Sequence, residues 1–386
     1  MNPSTWSRPT WWRLDPSAPF ELGPRTLPGR IWTASGCFAY GLSGHDIAAA
    51  DLGSPYAGLG AVVTKTVTPR PRSGNPMPRL VELAHGAINS IGLENVGYQA
   101  FLAEVLPELE RLGVPTVVSL AATRPEEFGD MVAALQDVAS GYEHWHGVEV
   151  NLSCPNVAEG GHDFGRDPQT VALCVAAARR HLPDRALLAK LTPNVTDIAV
   201  LATAAGAAGA DAVSAINTVI GLEVDLATGQ PVLPRRFGGY SGPAIRPIAL
   251  AKVDEIVNRS QVPVVGVGGI EDYRDALKFF ALGAMAVQVG TAQMRDPFTA
   301  AGIVRDLHHR DGCRKDGELI VRVGTVRDLQ AVRDAVHIYV VAEPTRRPDG
   351  SFPARVDGSS PVSPARTSAT SSRSSSTTRS SPPRSC

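Results

Sequence analysis

The chain has 386 residues, of which 43% are hydrophobic and 19% charged, with a formal net charge of −1. That is ample for a buried core, and the near-zero charge argues against nucleic acid or an anionic membrane as partner. The five cysteines (Cys37, Cys154, Cys174, Cys313 and Cys386) are scattered and form no CxxC pair, so a disulfide framework or a metal site is not expected and a reducing cytoplasm is.

Residues 1–25, rich in Trp, Pro and Ser without periodicity, read as an irregular extension with no basic-then-apolar leader pattern. From residue 26 apolar strand-like runs alternate with helix-like segments. Strands are expected at 31–34, 61–67, 116–120, 148–152, 186–190, 212–216, 262–267 and 286–289. Helices are expected near 96–111, 125–139, 168–181, 196–207, 243–258, 271–282 and 296–309. Asp167–Pro168 and Asp296–Pro297 carry cap and first-turn signals for two of those helices. Eight strands alternating with helices across 26–310 spell a (β/α)8 TIM barrel, of class α/β. An open doubly wound sheet would need an early GxGxxG turn, and none follows an early strand. Two post-strand stretches, 68–94 and 219–240, are too long for plain connections and should lie over the barrel's C-terminal mouth. Residues 311–358 take no assignment beyond possible strands at 318–323 and 335–341. The Ser/Thr/Arg/Pro-rich 359–386 cannot bury a core and is expected to be disordered.

The chemistry gathers around GVEVNLSCPN, residues 147–156. Pro155 ends a buried strand and leaves Asn151, Cys154 and Asn156 at its C-terminal end, where α/β folds build their sites. An inert buried thiol is the ordinary fate of a lone cysteine; one set on a sharp turn between two amides can instead act as a general base. No histidine stands beside Cys154 in sequence, and His144 and His146 should be surface residues at the barrel's bottom. Gly266 to Gly269 follow the seventh strand, and Gly290–Thr291 the eighth; in a barrel these two loops form a phosphate site, although glycine also simply makes tight turns. Lys65 and Lys190 end apolar strands, so each either snorkels to solvent or meets an anion. Asn89, Asn151, Asn156 and Asn217, with Thr218, are single turn residues or one amide-lined rim for a planar ligand rich in N–H and C=O groups.

Taken in order, ASGCFAYG (34–41), TKTVTPRPRSGNPMPR (64–79), NSIGLEN (89–95), NLSCPNVAEGGHDFGRDP (151–168), INTV (216–219), SGPAIRP (241–247), VGVGGI (265–270) and VGTA (289–292) resemble the dihydroorotate dehydrogenases of class 1, most closely class 1B. The resemblance implies FMN at the barrel mouth. Gly268, Gly269, Gly290 and Thr291 would hold its phosphate, and Ser35, Lys65, Thr66, Asn151, Lys190, Ile216 and Gly242 the remainder. Dihydroorotate or orotate would meet Lys65, Asn89, Ser90, Ile91, Gly92, Leu93, Asn151, Asn156, Asn217 and Thr218. Cys154 matches the family's catalytic base, with Lys190 and Lys65 stabilising negative charge on the flavin. Ser119 stands where the family usually offers an asparagine to the flavin.

The same resemblance implies a homodimer, extended to a heterotetramer by a second subunit that carries FAD and an iron–sulfur cluster and passes electrons to NAD; fumarate and quinone are the other chemically possible acceptors. Two other readings share the barrel. A dihydropyrimidine dehydrogenase-like enzyme would act on uracil or thymine, but the chain has none of that family's cysteine-rich cluster segments. A non-catalytic flavoprotein subunit would keep the fold without turnover, against the intact Cys154, Lys65 and asparagine set.

Overall fold

The computed structural model describes residues 15, 18–42, 54–152, 164–312, 314–315 and 318–319, with side chains up to residue 308. Eight short strands close into a ring: β1 (Ile31–Thr33), β2 (Ala61–Val63), β3 (Thr116–Leu120), β4 (Trp145–Asn151), β5 (Ala186–Leu191), β6 (Ala212–Ala215), β7 (Val264–Val267) and β8 (Ala286–Val289). All ring pairings are parallel, and β8 pairs with β1 to complete the circle. The strands are mostly apolar or β-branched because helices cover one side and the barrel axis the other, with buried polar residues such as Glu149, Lys190, Ser214 and Gln288 interrupting the runs.

The helices are α1 (Leu106–Arg111), α2 (Pro125–Ala139), α3 (Pro168–Arg179), α4 (Ile198–Ala207), α5 (Arg246–Arg259), α6 (Tyr273–Ala281), α7 (Thr291–Arg295) and α8 (Thr299–Gly312). A short α segment, Tyr98–Ala100, and a π segment, Phe101–Val105, lead into α1. Their starts are written locally. Asp167, Asp197 and Asp272 each cap a helix by accepting main-chain N–H bonds, which satisfies donors that the first turn leaves unpaired. Asp296 behaves differently. It accepts from Phe298 N at 2.9 Å, and α8 begins only at Thr299, so Pro297 lies in a turn before the helix rather than in its first turn.

Two expectations about the ends need correction. The irregular N-terminal extension stops short of residue 25, because Phe20–Leu22 pairs antiparallel with Arg25–Leu27. This hairpin shares one apolar cluster with Trp32, Ala61, Val63, Val117, Ala186, Leu188, Ala212, Val265 and Ala286, and so plugs the barrel's lower end. Leu22 and Leu27 are fully buried there, each contributing about 1.5–3 kcal/mol. At the other end Arg314–Lys315 pairs with Glu318–Leu319, inside the compact unit formed by residues 1–319. The possible strand at 335–341 and the 359–386 tail lie outside the described residues.

Neither long connection is a plain loop. Leu80–Leu83 and Gly86–Asn89 form a hairpin after β2, Val219–Gly221 and Gly238–Ser241 another after β6, and the two join into one antiparallel sheet of four strands. Since β2 and β6 stand four places apart in the ring, the sheet reaches across the mouth from opposite sides. Its central pairing runs Gly239 to Asn89, Tyr240 to Ile88 and Ser241 to Ala87.

Candidate active site

Strand alternation decides what faces the barrel axis. Along β4, Gly147, Glu149 and Asn151 share a face; along β5, Ala186, Leu188 and Lys190 do. Ala186 and Leu188 belong to the apolar floor, while Glu149, Asn151 and Lys190 above are polar. Register brings Ser119 beside Glu149, Asn151 beside Lys190, and Ser214 beside Lys190.

One side of the mouth is a chain of hydroxyls and an amide. Ser35 Oγ donates to Thr64 O at 2.8 Å and lies 3.1 Å from Thr66 Oγ1, which is 2.9 Å from Ser119 Oγ. Asn151 Nδ2 donates to Thr66 Oγ1 at 3.2 Å. Ser119 therefore joins a hydroxyl network in the place where an asparagine was the expected group.

The other side is ionic. Lys190 Nζ donates to Gln288 Oε1 at 3.1 Å and lies 3.9 Å from Glu149 Oε1. Ser214 Oγ and Gln288 Nε2 both donate to Glu149 Oε2, at 2.7 and 2.8 Å. The alternative of a snorkelling Lys190 is excluded by its burial, at 5% exposure. Lys65 is more open, with 26% of its side chain exposed, and pairs with Glu94 at 3.2 Å. Glu94 also accepts from Arg79 at 2.6 Å, and hydrogen bonds from Arg79 and then Lys65 hold its carboxyl below the usual carboxylate range.

Above these lies the segment expected to meet substrate. Asn89 Nδ2 donates to Gly239 O at 3.1 Å, so the amide is set by the sheet across the mouth. Ser90 is buried, and Asn75 Nδ2 donates to its carbonyl and its hydroxyl at 2.9 Å. Ile91 and Gly92 continue the turn, with Asn75 N bonded to Ile91 O at 2.9 Å. Leu93 has φ +56°, a left-handed backbone that a leucine adopts only when its surroundings impose it. Asn217 follows β6; its Oδ1 accepts from Thr218 N at 2.8 Å, and Thr218 O accepts from Asn194 Nδ2 at 3.1 Å.

At the glycine loops the structure separates two causes. Gly268 and Gly269 have φ +133° and +71°, and an added Cβ would come within 2.7 Å of Ala249 Cβ and of Arg246 Cβ. Backbone shape and contact with α5 thus require glycine there with or without a ligand. Gly290 differs. Its φ of −105° and ψ of −102° fall outside the regions a residue with a Cβ favours, while an added Cβ would meet Cys37 Sγ at an ordinary 3.6 Å. Thr291 Oγ1 donates to Ser241 Oγ at 2.9 Å, which ties the β8 loop to the sheet over the mouth. Ile216 is buried beside Gly268, and Gly242, with φ +102°, abuts Gly86.

The remaining thiols and imidazoles divide cleanly. Burial pushes Cys37 up to about 11 and Cys174 up to about 12, which leaves both without thiolate near neutrality. His146 is not the surface residue expected: its Nδ1 is buried without a hydrogen-bond partner, and desolvation, then Arg25, push its imidazole down to about 4. Cys154 and Asn156 lie outside the described residues.

Sequence reasoning missed Glu149, Ser214, Gln288 and Glu94. The first carried a signal: a lone carboxylate in a buried strand, two residues before Asn151 and on the same face. Gln288 and Ser214 sit likewise inside apolar runs, AVQVG and AVSAI.

A closed (β/α)8 barrel with a polar, lysine-bearing mouth and an added sheet across it defines a barrel enzyme with its chemistry at the C-terminal end. Residues 22–310 match the family described as dihydroorotate dehydrogenase, and the chain belongs to that family. It is 43% identical over 294 residues to the dihydroorotate dehydrogenase B (NAD(+)), catalytic subunit, of Pelobacter propionicus, covering 76% of this chain and 93% of that one. The protein of the same name from Geotalea daltonii is 42% identical over 311 residues, covering 79% and 97%. Among solved structures, the dihydroorotate dehydrogenase of Eimeria tenella in complex with ferulenol superposes with a TM-score of 0.61 at 22% identity, covering 78% of this chain and 86% of that one. That last likeness speaks to the fold.

Proposed function

We propose that the barrel mouth oxidises (S)-dihydroorotate to orotate with FMN as the bound flavin, within de novo pyrimidine biosynthesis. Flavin-dependent dihydroorotate oxidation is the family's activity; FMN and the residue roles are specific to this proposal. One observation carries it: a buried, hydrogen-bonded Lys190 and a Ser35–Thr66–Ser119–Asn151 chain lie on neighbouring walls of one mouth. Fixed donors of this kind, together with a cation, suit a flavin ring that gains negative charge.

The residues present fit the group. Nothing nearer than 3.6 Å would meet an added Cβ at Gly290, so the start of α7 is open enough for a phosphate to approach backbone N–H groups. Gly268, Gly269 and Thr291 complete that corner, and Ser35, Lys65, Thr66, Asn151, Lys190, Ile216 and Gly242 the rest. The flavin, when bound, supplies the hydride acceptor. The protein's part is to hold the pyrimidine and to move a proton. Asn89 to Leu93, Asn151, Asn156, Asn217 and Thr218 orient the substrate ring, and Lys65 offers its carboxylate a cation once Glu94 yields. Cys154, as thiolate, takes the C5 proton while the C6 hydrogen leaves as hydride. Oriented groups of this sort contribute much of such a rate.

The names of the curated relatives, which print NAD(+) and a catalytic subunit, support an NAD-linked assembly with a second subunit; that this subunit carries FAD and an iron–sulfur cluster is part of the proposal. No helix among the described residues is long and apolar enough to cross a membrane.

Anaerobic dihydroorotate should bleach the yellow protein as purified; a protein that binds FMN and stays yellow overturns the reaction. Cys154→Ser should retain FMN and orotate but lose about 10²–10⁴-fold in kcat near neutral pH. Normal turnover by that variant would remove Cys154 from the base role.

A further inference from the structure

The ionic layer beneath the mouth holds a group that the reaction as written does not use. Glu149 is fully buried, as are Ser214 and Gln288. One of its oxygens, Oε2, accepts from Ser214 Oγ and from Gln288 Nε2. The other, Oε1, accepts no hydrogen bond and has the Lys190 ammonium 3.9 Å away. Gln288 bonds both partners at once: its Nε2 donates to the carboxylate and its Oε1 accepts from Lys190 Nζ. The four side chains come from β4, β5, β6 and β8, so the layer spans the barrel. A sealed ion pair is a poor way to fill a core, since apolar residues of similar size commonly do as well or better. Such a layer also acts over distance, because charges in a low-dielectric interior are weakly screened.

Resting on the flavin site proposed above, we propose that Glu149 is a positioning residue that anchors the Lys190 ammonium and offsets part of its charge. It thereby sets how strongly the mouth favours a flavin carrying negative charge. Lys190 alone pulls the bound flavin toward its reduced, anionic form. The Glu149 carboxylate, anchored by two hydrogen bonds and 3.9 Å from the ammonium, would moderate that pull. The ammonium is attached to β5 and could swing; Gln288 and Glu149 are what hold it in one place. The pair is thus a built-in setting of the flavin's reduction potential, distinct from the groups that touch substrate.

The test is the midpoint potential of FMN on the purified protein at pH 7, titrated without substrate. Glu149→Gln keeps the shape and removes the charge, and the potential should rise. Lys190→Met should lower it, and Glu149→Gln/Lys190→Met should lie above Lys190→Met alone. Ser214→Ala removes a hydrogen bond to the same oxygen without changing charge and should shift the potential less than Glu149→Gln does. Should Glu149→Gln fail to fold, the comparison of the double variant with Lys190→Met still reads the carboxylate's charge. An unmoved or lowered potential in Glu149→Gln overturns the proposal. So does a double variant equal to Lys190→Met, or a Ser214→Ala shift as large as that of Glu149→Gln. Failure of the wild-type protein to take up FMN would instead overturn the flavin site itself.

Discussion

Lys65 and Lys190 end apolar runs three places apart in the ring, yet burial gives them different work. Lys190 is sealed and held by Gln288 and Glu149, so its position is fixed before any ligand arrives. Lys65 sits in a part-exposed pair with Glu94, which Arg79 also holds; an exposed pair of this kind contributes little stability and breaks easily. On the substrate contact proposed for Lys65, the ligand's carboxylate displaces Glu94, and Glu94→Gln should lower KM for dihydroorotate several-fold while kcat changes little. A raised KM would mean that Glu94 orders Lys65 rather than competing for it. His146 gives a pH signature at the opposite end of the barrel. Its imidazole falls from the ordinary 6.5 to about 4 on folding, by burial first and Arg25 second. Between those pH values the unfolded chain binds a proton that the folded chain refuses. Stability from this group is complete above pH 6.5 and is lost as pH falls toward 4. Urea midpoints measured across that window should drop more in the wild type than in His146→Gln; parallel curves would remove His146 as the cause.

Among the elements, the N-terminal hairpin shows how little sequence can specify a large burial. Three-residue strands carry too few alternations to stand out from the Trp- and Pro-rich stretch before them, but Leu22 and Leu27 close the barrel floor. Leu27→Ala should cost about 2–5 kcal/mol through the cavity it leaves, read in urea unfolding, while FMN stoichiometry at 20 °C stays at the wild-type value. A change in FMN content at unchanged stability would place the hairpin's role at the mouth instead. The same local blindness hid the sheet across the mouth. PRPRSGNPMPR and DLATGQP are dominated by Pro and Gly, and the strands that join the two connections, Gly86–Asn89 and Gly238–Ser241, pair across more than a hundred residues. By contrast, α3 and the barrel strands were legible. Asp167–Pro168 writes its own cap, and strands buried on both faces are continuous apolar runs.

For the whole molecule, the mouth is assembled from residues on or just after all eight barrel strands, so ligand binding should couple to global stability. Removing FMN should lower Tm, and adding it back at a hundredfold excess over Kd should restore about 2.7 kcal/mol. Riboflavin, which lacks the phosphate, should restore less if Gly268, Gly269, Gly290 and Thr291 hold that group; equal rescue would place the affinity in the ring alone. The alternation of strands and helices, the asparagine-flanked thiol and the glycine loops were set by the order of residues, because each depends on neighbours a few positions apart. Tertiary structure alone decided the Glu149–Lys190–Ser214–Gln288 layer, the Ser35–Thr66–Ser119–Asn151 chain and the pairing of the two long connections. Those groups meet only when the ring closes, and no local periodicity records which inward-facing side chains will share a level.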